Sequence, residues 1–189
     1  MKHNTKSMVG IGLLMAIVVA LQLLGGGIKF GIFSITLVLV PIVVGAAVYH
    51  ATAGALLGLA FGVTVLLSGD AAVFLAINPL GTVLVVLVKG LLCGFLAGIV
   101  YKLVSRWNGF AAVVMAAIVC PVVNTGVFLL GCKVFFFETI KEWAAMYGYV
   151  DAASYMFFGL AGANFIIELC VNIVLAPVIT RIIKASSRV

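Results

Sequence analysis

A single lysine lies inside a long apolar stretch, and the possible chemistry of the chain centres on it. Lys89 stands within "VVLVKGLLCG" (residues 85–94), eleven positions after Asn78. In a helix that spacing places it roughly 16 Å from the helix end, near the centre of a bilayer. A charge at that depth costs at least about 2.5–3.5 kcal/mol unless a counter-charge, water or a ligand compensates it. The lysine therefore predicts a buried partner or a polar cavity.

A carboxylate and three amides are expected at a similar depth. In "GANFIIELCVNIV" three polar residues are four positions apart and share one helix face, namely Asn164, Glu168 and Asn172. Asn124, in "CPVVNTGVFLLG", is again near the middle of an apolar segment. We predict a polar cavity that binds a small solute, which Gln22 can border from the first helix. The alternative is structural: Lys89 pairs with Glu168, and the amides join helices.

Two segments between the apolar stretches are predicted to form the rim of this cavity. They read "SGDAAVFLAINP" (68–79) and "FFFETIKEWAAMYGYVDAASYM" (135–156), and both are rich in aromatic and aliphatic residues. Asn78, Trp143 and Tyr155 are the candidate binding residues there. The second segment is predicted to be an interfacial helix. Its aromatic residues then either lie at the level of the lipid headgroups or form a lid over the cavity.

Enzyme and metal signatures are missing from the sequence. It contains no GxxxxGK[ST], HExxH or GxSxG motif, so we expect neither an enzyme nor a cofactor. The four cysteines are dispersed without CxxC spacing and are expected to behave as small apolar residues, namely Cys93, Cys120, Cys132 and Cys170. We therefore predict no catalytic residue and no metal site.

Composition identifies the elements that must position these side chains. Of 189 residues, 66% are hydrophobic and 8% are charged, and the mean hydropathy is +1.39. These values predict an all-α integral membrane protein whose residues 1–189 form a single domain surrounded by lipid. Six transmembrane helices are expected near residues 8–25, 32–49, 51–68, 79–103, 110–136 and 158–184.

The distribution of charge predicts the orientation of the chain. The segments expected inside the cell carry basic residues and no acids: Lys2, Lys6, Lys102, Arg106, Arg181, Lys184 and Arg188. The segments expected outside carry both signs: Lys29, Lys133, Lys141, Asp70, Glu138, Glu142 and Asp151. This asymmetry predicts that both termini are cytoplasmic and that loops 3 and 5 are long and outer. No basic stretch is interleaved with aromatic residues, so nucleic acid is not an expected partner.

Two glycine series predict close helix packing. Glycines recur every fourth residue in the third and fourth predicted spans, at Gly54, Gly58 and Gly62 and at Gly90, Gly94 and Gly98. Each series lies on one side of its helix, where it lets a neighbouring backbone approach closely in lipid. We interpret both series as packing surfaces.

These features together resemble the S component, the substrate-binding membrane subunit, of energy-coupling factor (ECF) vitamin transporters. In "LLMAIVVALQLL", Ala16 and Ala20 resemble the AxxxA pattern of the first helix of that family. Residues 78–103 ("NPLGTVLVVLVKGLLCGFLAGIVYKL") and 122–131 ("VVNTGVFLLG") resemble helices 4 and 5 of its pantothenate-like branch.

The resemblance implies a division of labour between subunits. Such a protein captures a vitamin or related micronutrient from outside in a pocket of helices 4–6, and Ala16 and Ala20 dock on a T component. The T component and two cytoplasmic ATPases then complete uptake across a bacterial plasma membrane. Pantothenate is the first candidate substrate, followed by a pyridoxine- or pyrimidine-type vitamin. The competing hypotheses are a self-sufficient ion-coupled carrier that uses Lys89 and Glu168, and a structural membrane protein.

Overall fold

The computed structural model describes residues 2–25, 29–30, 33–34 and 37–186. Its first helices are α1 (Lys2–Gly25), α2 (Leu39–Tyr49), α3 (Ala51–Ser68), α4 (Ala72–Ile77) and α5 (Pro79–Val104). They are followed by α6 (Gly109–Phe135), α7 (Phe137–Met146), α8 (Ala152–Ser154), a π-helical segment (Tyr155–Ala161), α9 (Gly162–Val174) and α10 (Ala176–Ser186). Two antiparallel two-residue strands, β1 (Lys29–Phe30) and β2 (Phe33–Ser34), precede α2.

The predicted all-helical membrane class is confirmed. Among the described residues, four helices are long and apolar enough to cross a membrane, and a bent helix pair gives a fifth candidate. The third predicted span coincides with α3. The fourth differs from α5 by one residue at its end, and the fifth differs from α6 by one residue at each end. Helices α4 and α7 lie in predicted outer loops, so we call the end of the bundle that carries them the outer end.

The second predicted span begins later than its hydropathy indicated. We predicted a helix from residue 32, but Phe33–Ser34 forms β2, and α2 starts at Leu39. Pro41 accounts for this start, because proline lacks a backbone N–H and fits the first turn of a helix far better than its interior. The described part of this span is therefore a short apolar helix of 11 residues.

The sixth predicted span is interrupted twice. The segments Ala152–Ala161 and Asn164–Val174 meet at a bend of 44°, next to Gly162, whose φ of +28° lies in a region that side chains avoid. A second break separates α9 from α10 at Leu175. Pro177 lies in the first turn of α10 and cannot donate the bond that would continue α9. Hydropathy does not reveal either break, because the segments on both sides of each break are apolar.

The two glycine series face each other between α3 and α5. A Cβ at Gly58 would meet the carbonyl oxygen of Gly90, and a Cβ at Gly94 would meet the carbonyl oxygen of Gly54. The obstructing atoms are backbone, which cannot rotate aside as a side chain can. The predicted packing surfaces are therefore confirmed, and the close approach of α3 fixes the position of α5, the helix that carries Lys89.

Replacing Gly58 with alanine is expected to lower the free energy of unfolding by about 1–3 kcal/mol, the usual cost of overpacking. The added methyl group forces α3 away from α5. Gly126→Ala is the matched control in the middle of α6, where a Cβ would meet nothing within 4 Å. Thermal unfolding in detergent micelles measures both. Equal midpoints for the two variants would contradict the proposed contact.

Two apolar cores stack along the bundle. The larger core joins α1, α2, α3, α5, α6 and α10 around residues such as Leu39, Leu57 and Ile179. The second core lies at the outer end, where α7 packs on α6 and the π-helical segment through residues such as Phe136 and Ile140. A cavity lies at the junction of the two cores, because members of both line it.

Candidate functional site

The cavity has a volume of about 370 Å³ and is lined from many parts of the chain. Side chains from α1, α3, α5, α6 and α9 form its walls, and α4, α7 and the π-helical segment contribute at the outer end. Its volume lies at the lower end of the range typical of small-molecule sites. Six of the eight predicted binding residues line it, namely Lys89, Asn124, Trp143, Tyr155, Asn164 and Glu168.

Lys89 extends from α5 to a position between two aromatic rings. Its Nζ atom lies 5.6 Å from the ring centroid of Phe61 on α3 and 5.5 Å from that of Phe128 on α6. An ammonium at that distance is attracted to the ring face by about 0.5–2 kcal/mol. The two rings thus hold the charged group at the cavity wall.

Helix α9 brings an acid and an amide to the same cavity. Glu168 is 4% exposed, and Asn164, one turn earlier, donates a hydrogen bond from Nδ2 to its Oε1 at 3.4 Å. The negative charge of Glu168 acts electrostatically on Lys89, and so does that of Asp70. Lys89 and Glu168, which the sequence analysis expected at a similar depth, therefore line one cavity.

The remaining two amides differ in their placement. Asn124 is 7% exposed, lines the cavity, and has an Oδ1 atom without a hydrogen-bond partner. Asn172 is 1% exposed and is not among the residues that line the cavity. Its Nδ2 atom donates to the backbone oxygen of Glu168 at 2.8 Å. Asn172 therefore does not line the cavity. It is connected to the site only by its hydrogen bond to the backbone of Glu168 on the same helix.

Asn78 has a structural position at the start of α5. Its Oδ1 atom accepts a hydrogen bond from the backbone N–H of Gly81 at 2.9 Å, and Pro79 follows at the first helical position. This is a helix N-cap, which satisfies a donor that the helix itself leaves free. Asn78 does not line the cavity, although we predicted it as a rim residue.

An aromatic cluster covers the outer end of the cavity. Phe74, from α4, packs edge-on against three rings, those of Phe128 at 5.6 Å, Phe136 at 5.1 Å and Trp143 at 5.7 Å. The prediction of a helix in the second loop is met by α7, which carries Trp143. All four rings line the cavity, and we call this aromatic cluster the lid.

Tyr155 joins the lid from the π-helical segment. Its ring stacks on Tyr147 with centroids 5.7 Å apart and contacts Tyr149 edge-on at 5.1 Å. Asp151 is the N-cap of α8, the short helix just before Tyr155. Its Oδ1 atom accepts a hydrogen bond from the backbone N–H of Ser154 at 2.6 Å. That backbone hydrogen bond, with one from the Ser154 hydroxyl, holds the pKa of Asp151 below its usual value.

Two polar residues at the outer end of α1 and α3 complete the site. Gln22, on α1, is 1% exposed and lines the cavity, as expected for a residue bordering it. Its Nε2 atom donates to Oδ2 of Asp70 at 2.6 Å, and the Ser68 hydroxyl donates to the same oxygen at 3.0 Å. Sequence reasoning counted Asp70 only as an outer charge. The feature of the sequence that could have identified Asp70 as a site residue is its position just after an apolar helix.

The predicted docking residues lie elsewhere. Ala16 and Ala20 are exposed on α1, away from the cavity, and only 17% of the apolar window of α1 is buried, the lowest share among the candidate spans. Neighbouring apolar residues such as Leu13 and Ile17 are exposed on the same helix. Among the described residues, no group of three or more His, Cys, Asp or Glu side chains is placed to hold a metal ion.

A comparison with protein families places the chain. A family model described as "ECF transporter, substrate-specific component" matches residues 6–180. No curated protein matches the chain. The matched region includes every described residue that lines the cavity and both exposed alanines of α1.

Proposed function

Because the chain belongs to the family of substrate-specific components of ECF transporters, we propose that the cavity around Lys89 is its substrate site. The protein binds a vitamin-like micronutrient from outside a bacterial cell and is not an enzyme. The T component and two cytoplasmic ATPases of an ECF transporter are its partners in uptake. Pantothenate is the first compound to test, since residues 78–103 and 122–131 resemble the pantothenate-like branch.

The observation that carries this proposal is a set of buried amide oxygens with no partner in the protein. Gln22, Asn124 and Asn164 each line the cavity and each leave their side-chain oxygen without a hydrogen bond. An unsatisfied buried polar group costs about 1–3 kcal/mol. A ligand or ordered water that supplies the missing donors removes that cost, whereas a purely structural Lys89–Glu168 pair leaves the oxygens unsatisfied.

The lid gives the site a means of retaining its ligand. Phe74 lies on the short helix α4, which has no buried residue, and its ring contacts those of Phe128, Phe136 and Trp143. A ligand enters when α4 or α7 moves away, and the rings close over it afterwards. The lid therefore affects the rate of ligand release more than it affects the polar contacts of the bound ligand.

Phe74→Ala is expected to speed ligand release at least about tenfold, because it removes three edge-on ring contacts worth about 0.5–1.5 kcal/mol each. Phe158→Ala is the control, since that ring is 75% exposed and does not line the cavity. The release rate of bound ligand is measured after dilution into ligand-free buffer. If Phe74→Ala releases ligand at the same rate as Phe158→Ala, α4 is not part of a lid.

Two measurements test the proposed function. Mass spectrometry of the protein purified in mild detergent is expected to reveal a small molecule in near-stoichiometric amount. In vesicles, uptake of that molecule is expected only when the T component and both ATPases are present with ATP. Uptake by this chain alone that collapses with the proton gradient would identify an ion-coupled carrier instead. The absence of any bound molecule would contradict the proposal.

A further inference from the structure

The charges in the cavity do not balance, and this bears on the ligand if the proposed substrate site is correct. The described lining residues include one cation, Lys89, and two carboxylates, Glu168 and Asp70. With all three ionised, their formal charges sum to −1. The tyrosines and the cysteine that also line the cavity are neutral at pH 7 in their ordinary states. A cavity built mainly for an anion would carry the opposite excess.

The amides add hydrogen-bond acceptors to this negative excess. A side-chain amide has one donating NH₂ group and one accepting oxygen, while an ionised carboxylate only accepts. Gln22 must therefore turn its NH₂ group toward Asp70, and Asn164 must turn its NH₂ group toward Glu168. The orientation of both amides is fixed by the acids, and in both the oxygen is the atom left without a partner.

Some of the donors that line the cavity are already used or lie at its outer end. The Thr82 hydroxyl donates to the backbone oxygen of Asn78 at 2.8 Å and is thereby used within its own helix. The donors of Trp143 and Tyr155 lie with the aromatic lid. Lys89 is the charged donor among the described lining residues, and the Asn124 NH₂ group and the Thr125 hydroxyl are neutral donors. The oxygens of Gln22, Asn124 and Asn164 nevertheless have no partner in the protein, so a ligand can supply their donors.

We infer that the ligand is a small compound without net negative charge that presents several N–H or O–H donors. Its donors satisfy the oxygens of Gln22, Asn124 and Asn164. An acceptor atom of the ligand accepts from Lys89, and its less polar surface packs on the surrounding aromatic side chains. Pantothenate carries a carboxylate, so on this inference it is the weaker candidate, because like charges repel in a buried site.

Three compounds that share one ring isolate the effect of charge. Pyridoxamine, pyridoxine and 4-pyridoxate differ at one ring position, which bears an aminomethyl, a hydroxymethyl or a carboxylate group. Binding to the purified protein is measured by isothermal titration and compared in Glu168→Gln, Asp70→Asn and the control Glu138→Gln. Glu138 is on α7, has an 82% exposed side chain and pairs with Lys141 outside the cavity. The molecule that copurifies with each variant is identified by mass spectrometry.

The copurified molecule is expected to carry no net negative charge at pH 7 and to be retained about tenfold less by Glu168→Gln, as for a lost charged hydrogen bond. Among the probes, the amine and the alcohol are expected to bind at least about tenfold more tightly than the acid. Glu138→Gln is expected to match the parent protein.

A copurified anion, or tightest binding by 4-pyridoxate that improves further in Glu168→Gln, would overturn the inference while leaving the proposed substrate site intact. If Glu168→Gln does not fold, Asp70→Asn tests the same effect, the removal of one negative charge from the cavity. If the protein retains no small molecule, the proposed function itself is wrong, and the inference falls with it.

Discussion

Lys89→Met is expected to weaken ligand binding by about 10- to 100-fold, the value of one hydrogen bond to a charged group. The substitution removes the deep charged donor and leaves Glu168 and Asp70 in the cavity without a cation among the described lining residues. Methionine keeps most of the side-chain length, so the packing between Phe61 and Phe128 changes little. Equilibrium binding of the copurified ligand provides the measurement.

A matched lysine variant separates this effect from a general loss of charge. Lys141→Met removes an equally positive side chain on α7, where Lys141 is half exposed and pairs with Glu138 at 3.0 Å. Exposed pairs of this kind contribute at most about 1 kcal/mol, so ligand binding is expected to be unchanged. If Lys89→Met also binds the ligand as tightly as the parent protein does, Lys89 is not part of the binding site.

The double variant Lys89→Met/Glu168→Gln distinguishes a binding role from a structural pair. If Lys89 serves only to neutralise Glu168, removing both charges restores stability together with ligand binding. On our proposal the double variant recovers thermal stability, because the Glu168 carboxylate that loses Lys89 in the single variant is also neutralised, but it does not recover binding. The comparison of melting temperature with affinity in the same preparation decides between the two outcomes.

Ala16→Trp is expected to abolish uptake while leaving ligand affinity within about twofold, a difference of roughly 0.4 kcal/mol. The indole adds a large side chain to an exposed small-residue face of α1, where close contact with a partner helix requires small side chains. The face lies outside the cavity, so the substrate contacts are unchanged. Uptake is measured in vesicles that contain the T component and both ATPases, and affinity is measured on the purified chain.

Val122→Trp is the control for a bulky residue on a lipid-exposed helix. Val122 is 45% exposed on α6 and does not line the cavity. It is expected to support uptake at close to the parental rate. If Val122→Trp and Ala16→Trp inhibit uptake equally, the effect is not specific to the α1 face. If Ala16→Trp supports uptake at the parental rate, this face of α1 is not the docking surface for the T component.

The sequence by itself determined the membrane class, most helix positions and the glycine packing faces. With 66% hydrophobic residues and 8% charged, the chain lacks the polar surface that a water-soluble domain needs. Apolar segments of bilayer length identified α3, α5 and α6 to within a residue, since a spanning helix is limited by the thickness of the hydrocarbon. Fourfold glycine spacing marked a packing face because helical geometry alone places those residues together.

Interruptions of helices and contacts between distant segments were decided by the tertiary structure. The apolar run after residue 158 gives no sign of the 44° bend near Gly162, because hydropathy measures transfer to lipid and not backbone direction. Likewise, no local pattern joins Gln22 to Asp70 across 48 positions or places Asn172 outside the cavity.

The sequence showed which polar side chains must be buried, since their helices have to cross the membrane. Only the packing of α1, α3, α5, α6 and α9 decided which of them share a cavity. It also decided which amide oxygens are left without a partner, because a hydrogen bond depends on distances that sequence spacing does not set.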